Sequence, residues 1–151
     1  AGGYDVTFVH NSHYATGGMV SSAQAGVRAL PAGVPAFLLS LGDQPAVRPA
    51  TLSRLIQAWK KGAAAVILPT YHGNRGHPVV LSTQCAADIL NLASDQTLKA
   101  VVERHKDQTT EVEVDDPGVI TDIDTPDDYE RLLKTWDRIE PQGAGHAPSD
   151  R

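Results

Sequence analysis

The chain has 151 residues, a single cysteine and a formal net charge of -5. That length fits one domain with a substantial core, and an acidic balance with no basic block excludes a nucleic-acid or membrane-binding surface. No apolar stretch reaches the ~20 residues of a membrane helix and no signal-peptide pattern is present, so the cytoplasm is the expected compartment. The lone Cys85 forbids an internal disulfide and agrees with a reducing setting.

The chain opens on Ala1-Gly2-Gly3-Tyr4, without Met, and reads as cut from something longer. Val6-Thr7-Phe8-Val9 has a short strand pattern, and residues 11–18 form a polar loop. The next stretch, 19–30, predicts a helix with Ala23, Val27 and Leu30 inward. Residues 36–41 are a continuous apolar run, the mark of a strand buried on both faces of a parallel sheet. A strong helix is predicted over 50–61, where Leu52, Leu55, Ile56 and Trp59 recur at i, i+3, i+4 and i+7, with Gly62 as its C-cap. Residues 63–68 predict a second buried strand, and 71–77 a loop returning through strand 78–81. Two helices are expected between Thr83 and His105, and an alternating strand over 111–114. Asp116-Pro117-Gly118 reads as a turn. Thr125 has the signals of a helix start, with Pro126 at the first position and Asp128 placed for a capping box. Tyr129, Leu132, Leu133 and Trp136 form that helix's inner stripe. One domain over 1–138 and a disordered Gly/Pro/Ser tail over 139–151 complete the expectation. Alternating buried strands and amphipathic helices indicate an α/β fold with a doubly wound, mostly parallel sheet.

Two acidic turns carry the chemistry. Asp43 follows the 36–41 strand, where open α/β sheets hold their ligands. The second turn is Asp122-Ile123-Asp124-Thr125-Pro126-Asp127-Asp128. Capping explains some of these acids: Asp43 could cap the helix after it, and Asp127 with Asp128 serve a helix dipole. Asp122 and Asp124 flank Ile123, so in an extended segment both carboxylates point one way. Two like charges ~4 Å apart cost about 4 kcal/mol at an effective dielectric near 20, which calls for a cation or a basic partner. Oxygen-only ligands favour Mg²⁺, which takes one or two carboxylates together with phosphates and water. Asp43, Asp122 and Asp124 are the expected metal ligands.

Four segments in order resemble the MobA-like nucleotidyltransferases, and most closely their molybdenum-cofactor cytidylyltransferase branch. They are Asn11 with Gly18-Met19-Val20-Ser21-Ser22 and Gly26; Leu41-Gly42-Asp43-Gln44-Pro45; Gly73-Asn74-Arg75-Gly76-His77-Pro78; and the Asp122–Asp128 turn. The resemblance implies a Rossmann-like sheet of the nucleotide-diphospho-sugar transferase type, here missing its first βα unit or units. It implies that Asp43 binds the Mg²⁺ bridging a triphosphate, that Asp122 and Asp124 complete the metal shell, and that Asp43 and Asp124 are the catalytic carboxylates. Gly18, Met19 and Ser22, with Asp43, would bind the nucleotide. Arg75, Gly76 and His77 would face the acceptor, a molybdopterin-type phosphate. The implied reaction transfers a nucleoside monophosphate, CMP in that branch, from a nucleoside triphosphate with release of pyrophosphate. The partners implied are these small molecules and a molybdoenzyme or its chaperone, with no nucleic acid and no membrane.

The family's glycine-rich phosphate loop, Leu-Ala-Ala-Gly-x-Ser-x-Arg-Met-Gly, has no match in these residues. Backbone amides of such a loop normally hold the phosphates, so no turnover is expected from this chain alone. Asp95-Gln96-Thr97-Leu98 also departs from the family's Gly-Asp-x-Gly. A related enzyme for a phosphosugar or phospholactate-like acceptor, and a non-catalytic module binding a nucleotide or protein, stand as alternatives. His77 is either an acceptor contact or a rim residue of its turn. His10 and His13 lack further ligands at zinc spacing. Cys85, Trp59 and Trp136 read as core, and Ser21 and Ser22 lack an esterase setting.

Overall fold

The computed structural model describes residues 6–62 and 64–136. Helix α1 (Gly18–Arg28) is followed by β1 (Ala36–Leu39), α2 (Pro49–Lys61), β2 (Val66–Tyr71), β3 (Asn74–Arg75) and β4 (Val79–Ser82). Then come α3 (Gln84–Leu90), α4 (Lys99–Arg104), β5 (Thr109–Glu113) and α5 (Pro126–Leu133), with 3-10 turns over Lys106–Gln108 and Pro117–Ile120. The strands form one mostly parallel sheet in the order β1-β4-β2-β3, with β5 also paired to β2. The α/β class expected from the alternating pattern is therefore the one found.

The chain divides into two compact units. The first comprises residues up to Phe37, Ala64–Val66 and Leu81–Thr109. Its core holds Val20, Ala23 and Val27 of α1 together with Cys85, Ile89 and Val101, and α1 packs on α3. Gln24 binds the end of α3 from within that contact: its Nε2 donates to the carbonyls of Ile89, Leu90 and Leu92 at 3.0–3.3 Å. Those carbonyls lie where helix ends run out of intrahelical donors. Cys85 is fully buried, and its Sγ lies 3.5 Å from the Ala65 carbonyl, so it is core as expected.

The second unit holds Leu38–Ala63, Ile67–Val80 and the residues from Thr110 onward. Its core includes Leu55, Ile67, Leu68, Val79, Val80 and Val119. Truncating a fully buried leucine such as Leu55 to Ala would cost about 2–5 kcal/mol. The loop expected over 71–77 is a tight hairpin. Thr70 pairs with Arg75 and Tyr71 with Asn74, antiparallel, which leaves only His72 and Gly73 to turn the chain. Both have positive φ, 49° and 77°, the geometry that matches the twist of a two-residue hairpin. Glu113 of β5 holds this turn by accepting from Thr70 Oγ1 at 2.7 Å and from the His72 amide at 2.9 Å. These bonds, the Thr70 hydroxyl first, lower the Glu113 pKa.

Several local expectations need correction. Val6–Val9 forms no strand: Val6, Phe8 and Val9 are exposed, and no neighbouring strand among the described residues takes up their backbone groups. β1 stops at Leu39 and is only half-buried, because it is the end strand of the order and not an interior one. Gly62 is the C-cap of α2 as expected, but its conformation is extended (φ -140°) and not left-handed. The inner face of α2 is centred on Thr51 and Leu55, with Ile56 outside. In α5 only Leu132 is buried, while Tyr129 and Leu133 are more than half exposed. The tail expected over 139–151 lies outside the described residues.

Candidate active site

Asp43 has no part in capping. The N-cap of α2 is Arg48, which makes no side-chain cap, and the carboxylate serving that helix start comes from Asp116. Asp116 is 2% exposed, and its Oδ2 accepts from the Arg48 amide at 2.9 Å and from Thr51 Oγ1 at 2.6 Å. Its Oδ1 accepts from the Gly118 amide at 3.0 Å, opening the Pro117–Ile120 turn. One buried carboxylate thus joins the start of α2 to the segment leading into the second acidic turn, at positions read from composition as an ordinary turn. Gly118 belongs to the same arrangement, because a Cβ there would strike the Ala46 carbonyl.

Asp43 is exposed, with no hydrogen bond to its carboxylate among the described residues. Two bonds tie its turn to the second acidic turn. The Ile123 amide donates to the Asp43 carbonyl at 2.8 Å. Gln44 Nε2 donates to Asp122 Oδ1 at 2.6 Å. The capping box expected at Thr125 is present: Thr125 Oγ1 accepts from the Asp128 amide, and Asp128 Oδ2 accepts from the Thr125 amide at 2.8 Å. Asp128 also pairs with Arg131. Asp128 is thereby committed to the helix, whereas Asp122 and Asp124 precede it and remain exposed.

The 73–78 loop reaches the same region. The His77 amide donates to the Val119 carbonyl at 2.8 Å, and the Gly76 amide to the Pro69 carbonyl at 2.9 Å. A Cβ on Gly76 would collide with the Val119 carbonyl, so close backbone approach accounts for glycine there. The imidazole of His77 feels the charges of both Asp122 and Asp43. Burial nevertheless dominates and lowers its pKa from the ordinary 6.5, against the pull of the two carboxylates. Burial thus favours the neutral imidazole of His77. Arg75 is engaged elsewhere: its Nε and Nη2 both reach Glu111 Oε1, at 2.8 and 2.6 Å, in an exposed pair of small energetic weight.

The structure therefore brings Asp43, Asp122 and His77 into one neighbourhood. It does not assemble the expected three-carboxylate shell, since no three His, Cys, Asp or Glu side chains among the described residues form a group able to hold a metal ion. The donor chemistry still fits a hard divalent cation, because Asp43, Asp122 and Asp124 offer only exposed carboxylate oxygens and such ions accept one or two of these with phosphate and water. A cavity of about 280 Å³ beside the second turn is lined by Asp122, Ile123, Arg48 and Arg131, but not by Asp43 or His77. In the sequence Gln44 stands out only as part of the Leu41–Pro45 segment, with no role of its own. It is 7% exposed, and its Oε1 is buried with no donor.

In the first unit, Gly18 and Met19 open α1. Asn11 Nδ2 donates to Ser21 Oγ at 2.8 Å and to Ser22 Oγ at 3.1 Å, and Met19 is exposed. The Asn11 and Gly18–Ser22 segments that the family pattern pairs are thus joined by side-chain hydrogen bonds. Asn11, His10, His13, Ser21 and Arg28 line an open groove of about 630 Å³.

The matching family model is the MobA-like NTP transferase domain, over residues 1–109, and the chain belongs to that family. It is 28% identical over 125 residues to the molybdenum cofactor cytidylyltransferase of Escherichia coli (strain K12), covering 83% of this chain and 61% of that protein. Among solved structures it is similar to Rv0371c from Mycobacterium tuberculosis H37Rv in complex with manganese, with 30% identity, a TM-score of 0.62, and coverage of 75% of this chain and 59% of that one. It shares a fold with molybdopterin-guanine dinucleotide biosynthesis protein A of Archaeoglobus fulgidus, with 18% identity, a TM-score of 0.65, and coverage of 89% and 70%. The chain thus spans about three fifths of the length of the Escherichia coli and Mycobacterium tuberculosis proteins. Among the described residues no helix is long and apolar enough to cross a membrane.

Proposed function

We propose that this chain supplies the cation-binding and acceptor-binding part of a nucleotidyltransferase. The enzyme transfers a nucleoside monophosphate, CMP by preference, to a molybdopterin-type phosphate and releases pyrophosphate. The observation that carries the reading is Asp43: an exposed carboxylate, unused by the fold, tied through its own backbone and Gln44 to the turn that bears Asp122. Similarity to the Escherichia coli cytidylyltransferase and to a manganese-bound neighbour supports the substrate class and a divalent ion, with Mg²⁺ the proposed one.

Asp43, Asp122 and Asp124 are the carboxylates that would hold the ion, one or two of them at a time, with phosphate and water as its other ligands. When bound, the ion neutralises charge developing on the triphosphate. Gly18, Met19 and Ser22 lie along the nucleotide. The loop Arg75-Gly76-His77 meets the acceptor, whose phosphate oxygen attacks the α-phosphorus as the bond to pyrophosphate breaks. His77, whose neutral form burial favours, can hydrogen-bond that phosphate through its imidazole. Arg75 faces Glu111 through Nε and Nη2, which leaves the donors of Nη1 for that phosphate.

The test is pyrophosphate release with CTP, GTP and ATP in the presence of molybdopterin and Mg²⁺. It is run on the chain itself and on a version given a glycine-rich phosphate loop ahead of residue 1. Release by the loop-bearing version with CTP, and little by the chain alone, is the expected result. No release with any nucleotide would overturn the reading and favour a non-catalytic binding module, whereas turnover only with a phosphosugar would reassign the acceptor.

A further inference from the structure

Gln44 is placed in an orientation that the fold alone does not explain. Its Nε2 donates to Asp122 Oδ1 at 2.6 Å while its Oε1 is buried without a donor. Leaving a buried amide oxygen unpaired costs about 1–3 kcal/mol. Exchanging the two ends of the amide would not help, because an oxygen would then face the Asp122 carboxylate at hydrogen-bond distance. The arrangement therefore accepts an orphaned acceptor in order to keep a donor on Asp122. Asp122 is otherwise exposed and has no other side-chain partner among the hydrogen bonds of the described residues. The same Gln44 follows Asp43 directly, and the Ile123 amide bonds to the Asp43 carbonyl. One buried side chain thus fixes the aim of the second turn's first carboxylate relative to the first turn.

We infer that Gln44 is a positioning residue that orients Asp122 toward the divalent cation, which rests on the cation reading given above. Residues that hydrogen-bond a metal-ligating group fix its direction, and their loss typically weakens metal affinity 10–100-fold. Gln44 is itself buried and acts through Asp122.

The test follows Mn²⁺ alone, by the electron paramagnetic resonance signal of the free ion, on Gln44→Met, Asp122→Asn and the double variant. Gln44→Met should weaken Mn²⁺ binding about tenfold or more. In the Asp122→Asn background the same substitution should then cause no further loss, because its target is gone. A loss of equal size in both backgrounds, or unchanged affinity in Gln44→Met, would overturn the inference while leaving the cation site in place. No Mn²⁺ binding by the unsubstituted chain would overturn the cation reading, and this inference with it. Should Gln44→Met fail to fold, Gln44→Asn keeps the amide but withdraws it by one methylene and undergoes the same comparison.

Discussion

Asp43 and Asp116 show how differently two aspartates in turns can be used. Asp116 is buried and accepts three hydrogen bonds, so its chemistry is spent on the fold. Asp43 is exposed and accepts none among the described residues. Asp43→Ala should therefore abolish pyrophosphate release by the loop-bearing protein while shifting the melting temperature by no more than a few degrees, as expected of an uninvolved surface site. Melting and turnover measured on one preparation check both parts. His77 gives a pH signature. Its folded pKa lies below 6.5, so the folded state resists the proton that the unfolded state takes up. The associated stability is present above about 6.5 and is lost as pH falls through the lowered folded value. His77→Gln should make acid unfolding shallower across that window. Asp122→Asn removes a charge that raises the His77 pKa, so nuclear magnetic resonance titration should find it lower still. The acidic residues themselves were legible in the sequence, since Asp43 follows an apolar strand and the Asp122–Asp128 turn carries capping signals. Gln44 and Asp116 were not, because burial of a polar side chain leaves no periodic trace.

At the scale of elements, long-range pairing decided where local pattern failed. The α5 start was readable from Thr125, Pro126 and Asp128, which act within one turn of themselves, while α2 was readable from its apolar spacing. The edge position of β1 and the lack of a strand at Val6–Val9 depend on neighbours that hydropathy cannot name. The hairpin over 71–74 was hidden because its turn is His-Gly, with histidine in a left-handed conformation that aspartate or asparagine usually occupies. Asp116 is the sharpest test of how elements are joined. Asp116→Ala leaves the Arg48 and Gly118 amides and the Thr51 hydroxyl without their acceptor. A loss of about 3 kcal/mol or more in urea unfolding is expected, since each buried unpaired donor costs about 1–3 kcal/mol. A loss below about 1 kcal/mol would mean that solvent replaces the carboxylate.

For the molecule as a whole, the formal charge of -5 and the exposed acids of the two turns favour cations. A ligand that binds only the folded chain stabilises it by about 2.7 kcal/mol at one hundred times its dissociation constant. Mn²⁺ at that excess should raise the melting temperature of the unsubstituted chain and leave that of Asp43→Ala unmoved; equal shifts would place the ion elsewhere. Family membership was legible from four short segments spread along the chain, and the mostly parallel α/β order from alternating strands and helices. The division into two compact units was not, because the chain passes between them inside β1, β2, β4 and β5, where no linker marks the crossing.

The collision awaiting any side chain at position 76 reaches beyond that residue. Because the Val119 carbonyl both blocks that space and receives the His77 amide, the two stretches behave as a lock and its matching key. Anyone grafting the 73–78 loop of another family member onto this scaffold would have to transplant residues 117–120 with it. A chimera carrying the loop alone, with anything larger than glycine at its centre, should be recovered only as insoluble material.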